Sequence, residues 1–261
     1  MEKKGKTLIA IPTTSGTGSE VTRYATIYID STKYSLASEK FVIPNISIID
    51  PSLTETLPPY LTASTGLDAL CQAIESMWAV KSTEESRKLA KKAIKISIKN
   101  LENAVLKPDK NSRTKMAKAS NISGKAINIS RTTACHSISY PITSFFNIPH
   151  GHAVALTMPE MIVHNYNITD ENCNDSRGLE FVKKIMKEII QLLDCENEID
   201  AKQYFKKYMQ KIGIETCLSK LNINKKDIEL IIKNGFTPNR MNNNPRIVTK
   251  NDLQNILEEI L

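Results

Sequence analysis

The spacing of apolar residues changes period once along this chain. Leu8 to Ile11 is an unbroken apolar run closed by Pro12, which predicts a buried strand. Thr26-Ile27-Tyr28-Ile29 and Ile46-Ser47-Ile48-Ile49-Asp50 are rich in β-branched residues and bounded by turn formers, and predict two further strands. A loop of small residues, Thr13-Thr14-Ser15-Gly16-Thr17-Gly18-Ser19-Glu20, follows the first strand. Pro51, Pro58 and Pro59 end the strand signals, and the period becomes helical. Ala63 to Val80 predicts a long helix. Ser82-Thr83-Glu84-Glu85 predicts a capping box opening a second, which runs to about Leu106. Ser112 to about Arg131 predicts a third, with small residues that permit close packing. Thr132 to Tyr140 predicts a short helix stopped by Pro141. Another begins after Pro149-His150-Gly151, three or four more fill residues 178–234, and Thr249-Lys250-Asn251-Asp252 caps a last one. The fold class is therefore mostly α. Residues 1–57 form a short β-containing piece, too small to be a domain by itself, and residues 58–261 a large helical domain.

Composition removes several classes of function. With 41% hydrophobic and 24% charged residues the chain is globular rather than disordered. No run of 18 or more apolar residues exists, so no membrane span is expected. The apolar stretch near the start is too short for a signal peptide, and a cytoplasmic protein is expected. The formal charge of +7 raises the question of a nucleic-acid partner. The basic residues are 28 Lys against 7 Arg, interleaved with Asp and Glu over helical segments, which argues against one. Five cysteines, an odd number without a CxxC pair, speak against a disulfide framework or a zinc knuckle. Glycine is scarce, 9 of 261 residues, under half the usual share of roughly 7%. No glycine-rich strand-to-helix turn of the dinucleotide-binding kind precedes Gly16.

Candidate chemistry gathers in the helical part. Asp68, Gln72 and Glu75 stand at i, i+4 and i+7 and share one face of a helix that is otherwise apolar. A carboxylate buried there must be paired or bound to a metal. A structural cap or ion pair is the competing reading. Of four histidines, three cluster in sequence: His136, His150 and His152. Two histidines and a carboxylate are a known divalent-metal ligand set with open positions. A single buried histidine is more often a satisfied core residue.

Several spaced motifs, in order, carry a family resemblance. They are Ile11-Pro12-Thr13-Thr14-Ser15-Gly16-Thr17-Gly18-Ser19-Glu20-Val21-Thr22, then Thr65-Gly66-Leu67-Asp68-Ala69-Leu70, then His136 with Pro149-His150-Gly151, and Asn244-Pro245-Arg246 before the terminal helix. On these the chain resembles the iron-containing (group III) alcohol dehydrogenases. The resemblance implies the dehydroquinate synthase-like fold of that family. Its all-helical metal-binding domain would be preceded here by a remnant of the α/β nucleotide-binding domain, residues 1–57. Members carry an N-terminal half with a Gly-Gly-Gly-Ser segment. This chain is expected to lack that half, as its low glycine content also suggests.

Carried over from the family, the metal ligands are Asp68, His136 and His150. The fourth falls on Gln72, where most members have histidine. A glutamine carbonyl oxygen can coordinate and leaves the site charge unchanged, but it is the weaker ligand. Lower metal affinity, or a three-ligand site with more water, is expected. The wording around Gln72, with Arg131-Thr132 ahead of His136-Ser137-Ile138-Ser139-Tyr140-Pro141, is similar to the phosphonoacetaldehyde reductase branch. That branch forms 2-hydroxyethylphosphonate with a nicotinamide cofactor. A dianionic substrate wants a fixed cation, and Arg131 is the candidate, against its reading as a surface ion pair. Thr13, Thr14, Thr17 and Thr22 match cofactor-contacting positions, and Lys33 falls near a lysine close to the active site in relatives. Tyr140 or His152 would relay the proton, with structural packing the other role open to Tyr140. The implied cofactors are a divalent metal, Fe2+ or Zn2+, and NADH or NADPH. The implied partner is a small aldehyde or alcohol, and a homo-oligomer is left open. Rival readings are a dehydroquinate-synthase-like or glycerol-dehydrogenase-like metal protein, and an inactive helical fragment.

Overall fold

The computed structural model describes residues 6–29 and 32–261, and the side chains of all of these except 28–29 and 32–35. Its strands are β1 (Ile9–Ala10), β2 (Tyr24–Ile29), β3 (Thr32–Ala37) and β4 (Ile46–Ser47). Its helices are α1 (Pro59–Trp78), α2 (Glu84–Leu106), α3 (Lys110–Ser130), α4 (Ala134–Phe146), α5 (His150–Tyr166), α6 (Leu179–Leu192), α7 (Glu198–Lys211), α8 (Ile228–Gly235), α9 (Pro238–Met241) and α10 (Lys250–Glu259). The mostly helical class read from the sequence holds. No helix among the described residues is long and apolar enough to cross a membrane.

Helix α1 is the axis of the helical part. A proline in the first turn is pre-set for a helix start, so α1 opens at Pro59 rather than at Ala63. It is apolar nearly all round because α2, α3 and α5 all pack on it. The second cap lies one residue later than expected: Thr83 Oγ1 accepts from the Ser86 amide at 3.1 Å, and Ser86 Oγ accepts from the Thr83 amide at 2.9 Å. Asp109 opens α3 in the same way with Ser112, ahead of the start read from the sequence. Thr249 and Asp252 form the box expected at α10.

The expectation for α4 is overturned. The helix does not stop at Pro141 but runs on to Phe146. A mid-helix proline costs roughly 3 kcal/mol. Ile138 and Ile142, on either side of it, are fully buried on a helix that packs against α5 and α8. Fully burying two such side chains contributes roughly 1.5–3 kcal/mol each, which outweighs the break. The stop comes at Asn147, whose φ of 55° is left-handed.

The β-containing piece also departs from expectation. β1 pairs in parallel with β4, Ile9 opposite Ile46, while β2 and β3 form an antiparallel hairpin running from Tyr24 opposite Ala37 to Ile29 opposite Thr32. β3 has no β-branched run and was not predicted. β4 is shorter than Ile46–Asp50 because the Asp50 side chain accepts from the Ser52 amide at 3.0 Å and opens a 3-10 turn at Pro51. The threonine-rich loop after β1 is pinned to α3. Gly18, at φ 60°, faces Gly124, and a Cβ on Gly124 would stand 2.7 Å from the Gly18 carbonyl oxygen.

Candidate metal centre

Three helices bring Asp68, His136 and His150 together. Asp68 lies mid-way along α1, His136 in the first turn of α4 and His150 at the first position of α5. One ligand atom from each lies within 4.8 Å of the others. His136 Nε2 is 3.3 Å and His150 Nε2 3.9 Å from Asp68 Oδ1. The His136 and His150 rings meet edge to face, centroids 5.4 Å apart.

Local chemistry explains each placement. Glu75, fully buried on α1, stands where α4 begins. Its Oε1 accepts from the Thr133 hydroxyl at 2.8 Å and the Cys135 amide at 2.9 Å, so a carboxylate from another helix caps α4. Its Oε2 accepts from His136 Nδ1. That bond fixes the ring and turns Nε2 toward Asp68, as carboxylates do behind metal-binding imidazoles. The start of α5 is set by Gly151, where a Cβ would come 1.9 Å from the Ser64 carbonyl oxygen of α1. Only glycine lets α5 approach closely enough to deliver His150. Gln72 reaches the same corner. Its amide nitrogen donates to the Thr17 carbonyl at 3.4 Å and its oxygen accepts from Ser123 at 3.3 Å.

The electrostatics favour a positive charge between these groups. Burial alone would push the Asp68 carboxyl up; the hydrogen bond from His136 and the nearby His150 and His136 rings hold it below its usual range. Glu75 behaves likewise: burial raises it, and His136 with Thr133 carries it lower. Burial would depress His136, but Glu75 and Asp68 raise it instead. Two buried carboxylates around two imidazoles are thus short of positive charge, which a proton or a divalent cation can supply. The donors are nitrogen and oxygen, suited to Fe2+ or Zn2+.

These residues lie on a cavity of about 830 Å³, ample for a small substrate and part of a cofactor. The structure brings Thr17, Thr22, Gln72, Arg131 and Tyr140 to its walls with the three ligand candidates. Thr13 is exposed and Thr14 half-buried, and neither lines it. Lys33 belongs to β3, and its side chain lies outside those described. His152 stands off the cavity. Its Nε2 donates to the Glu215 carbonyl at 2.7 Å, its Nδ1 accepts from Tyr60 at 2.9 Å, and burial lowers its basicity.

Arg131 is no ordinary surface residue. At φ 63° and ψ 176° it occupies a region that is essentially glycine's, at a cost of order 1–3 kcal/mol. Buried Asn243 holds it there, donating to the carbonyls on either side, Ser130 at 2.9 Å and Thr132 at 3.1 Å. Sequence reasoning missed two residues altogether. Asn243 is one, and Arg240 on α9 is the other, lining the cavity and bonding the Thr132 hydroxyl. Neither had a local signal, since each meets its partners from more than a hundred residues away. Glu75 was visible as a position on the Asp68 face, without its role.

Residues 62–261 match the model of the Fe-containing alcohol dehydrogenase family, C-terminal region, and residues 1–51 match the iron-containing alcohol dehydrogenase model. Among relatives, long-chain-alcohol dehydrogenase 1 of Geobacillus thermodenitrificans is 30% identical over 92% of this chain and 60% of its own. The phosphonoacetaldehyde reductase of Streptomyces viridochromogenes is 34% identical over 69% of this chain and 46% of its own. Among solved structures, sulfoacetaldehyde reductase from Bifidobacterium kashiwanohense, in complex with NAD+, superposes with a TM-score of 0.82 at 32% identity, over 97% of this chain and 64% of that one. The chain therefore spans less than two thirds of the length of each of these three.

Proposed function

The chain belongs to the iron-containing alcohol dehydrogenase family, and from that premise we propose that it carries the metal-binding and substrate-binding part of an NAD(P)H-dependent reductase of small aldehydes. The convergence of Asp68, His136 and His150 at one cavity wall, with Glu75 fixed behind His136, carries this reading. In it, these three side chains hold a divalent cation, and Gln72 becomes the fourth donor when its amide turns its oxygen from Ser123 toward the cation. Thr17 and Thr22 line the nicotinamide side of the cavity.

The cation supplies Lewis-acid polarisation of a carbonyl oxygen when bound, and the nicotinamide supplies the hydride. The remaining work falls to the chain itself. Asp68 contributes the anionic donor, and the Glu75 bond keeps His136 Nε2 aimed at the site. Tyr140 lines the cavity with its ring stacked on His150 at 6.3 Å, and in this reading it gives a proton to the oxygen that gains charge on hydride addition. The carbonyl carbon gains hydride, the oxygen gains the proton, and the aldehyde becomes an alcohol. His152 does not line the cavity and is engaged by Tyr60 and Glu215, which favours Tyr140 for this role.

For the substrate we propose phosphonoacetaldehyde, reduced to 2-hydroxyethylphosphonate. Two similar proteins act on two-carbon aldehydes bearing a tetrahedral anion, and Arg131 presents a cation to the cavity. The test is NADPH oxidation with phosphonoacetaldehyde by this chain completed with the nucleotide-binding half of a family member, before and after chelation. Loss on chelation and recovery with Fe2+ or Zn2+ is expected. Turnover that survives chelation would refute the metal's role.

A further inference from the structure

Seven arginines occur in the chain, and their partners separate them into two groups. Arg23 pairs with Glu39 and Arg177 with Asp175. Arg87, Arg113 and Arg246 donate to the carbonyls of Ser82, Leu57 and His164. None of these five lines the large cavity. Arg131 and Arg240 do line it, and among the described residues neither has a carboxylate within ion-pair distance.

Three features relate these two residues on the cavity wall. Arg240 bonds the hydroxyl of Thr132, the residue next to Arg131. Its guanidinium carbon sits 4.9 Å from the Tyr140 ring centre, and that ring stacks on His150. Arg131 is held in its glycine-like conformation by the Asn243 amide. A guanidinium has five donor hydrogens. One bond to a threonine and one stacked face leave most of those on Arg240 for a ligand. Asp68 lines the same cavity but pairs with His136 and His150, so two arginines with no carboxylate in ion-pair distance among the described residues favour an anion, and the planar fork of arginine suits a tetrahedral oxyanion.

We propose that Arg240 and Arg131 together form a seat for the phosphonate or sulfonate head of the substrate, one aromatic ring removed from His150. Arg240 is the specificity-determining residue of the pair, and the strained backbone at Arg131 serves to aim its side chain at the same head group. The proposal rests on the aldehyde-reductase reading for the identity of the substrate, but the seat itself is independent of metal and hydride.

Ethylphosphonate separates the two, because it has the anionic head and no carbonyl. It is titrated calorimetrically into the metal-stripped chain at low ionic strength, where screening is weak. The wild type should bind, and Arg240→Met should bind on the order of tenfold more weakly, the loss of one charge-assisted contact. Arg131→Gly should lose as much, while its melting temperature stays equal or rises, because glycine accepts the backbone without strain. Binding by the wild type that weakens about tenfold in both variants upholds the seat even if no reductase activity is ever found. Absence of binding, or equal binding by all three proteins, overturns it even if neutral aldehydes are reduced. Displacement of ethylphosphonate by NADPH, with NADPH affinity showing the same arginine dependence, would give the seat to the nucleotide and overturn the substrate assignment.

Discussion

Glu75 divides its two carboxylate oxygens between two tasks, capping α4 with one and orienting His136 with the other. Replacing it by glutamine keeps an oxygen for one of these tasks and removes the negative charge. Glu75→Gln is therefore expected to fold and to lose 10–100-fold in zinc affinity, roughly the range for groups that orient a ligand. Competition against a chromophoric chelator measures this, and unchanged affinity would show that Glu75 is only a cap. Asp68, Gln72 and Glu75 were legible as one helical face because helix period is local. Their division of labour was not, because it depends on Thr133, Cys135 and His136, which arrive from another helix. Arg240 carried no local sign of its place: it is one basic residue on a four-residue helix, and only the fold brings it to Thr132.

At the scale of elements, the close approach of α5 to α1 is what delivers His150. Gly151→Ala forces a methyl group against the Ser64 carbonyl, backbone against backbone, with no flexible side chain to yield. Overpacking of this kind costs about 1–3 kcal/mol or more. Thermal unfolding should show a melting point several degrees lower, at about 2–4 °C per kcal/mol for a chain of this size. An unchanged melting point would mean that the two helices can separate freely. Element boundaries were the least legible part of the sequence. Pro141 signals a stop by its own chemistry, yet the helix continues because Ile138 and Ile142 are buried by partners distant in sequence. β3 had no β-branched run to announce it and exists by pairing with β2.

For the whole molecule, stability should fall in mild acid. His164 is half-buried beside Arg246, and desolvation first and that cation second pull it down to about 4 from an ordinary 6.5, against a smaller opposing effect of Asp252. A group that binds protons less readily when folded stabilises the fold above its unfolded value and loses that contribution as pH falls. Stability contributed by neutral His164, about 3 kcal/mol at most, should therefore drain away between about pH 6.5 and 4. His164→Gln should flatten urea-unfolding stability across that window, and an unaltered slope would assign the acid sensitivity elsewhere. Asp68, His136 and His150 become one site only when three helices pack. Metal stoichiometry of the purified protein after loading with Zn2+ or Fe2+ and desalting tests this most directly. Close to one ion per chain is expected in the wild type and almost none in His136→Ala of unchanged helical content; equal metal in both proteins would contradict a site built on His136.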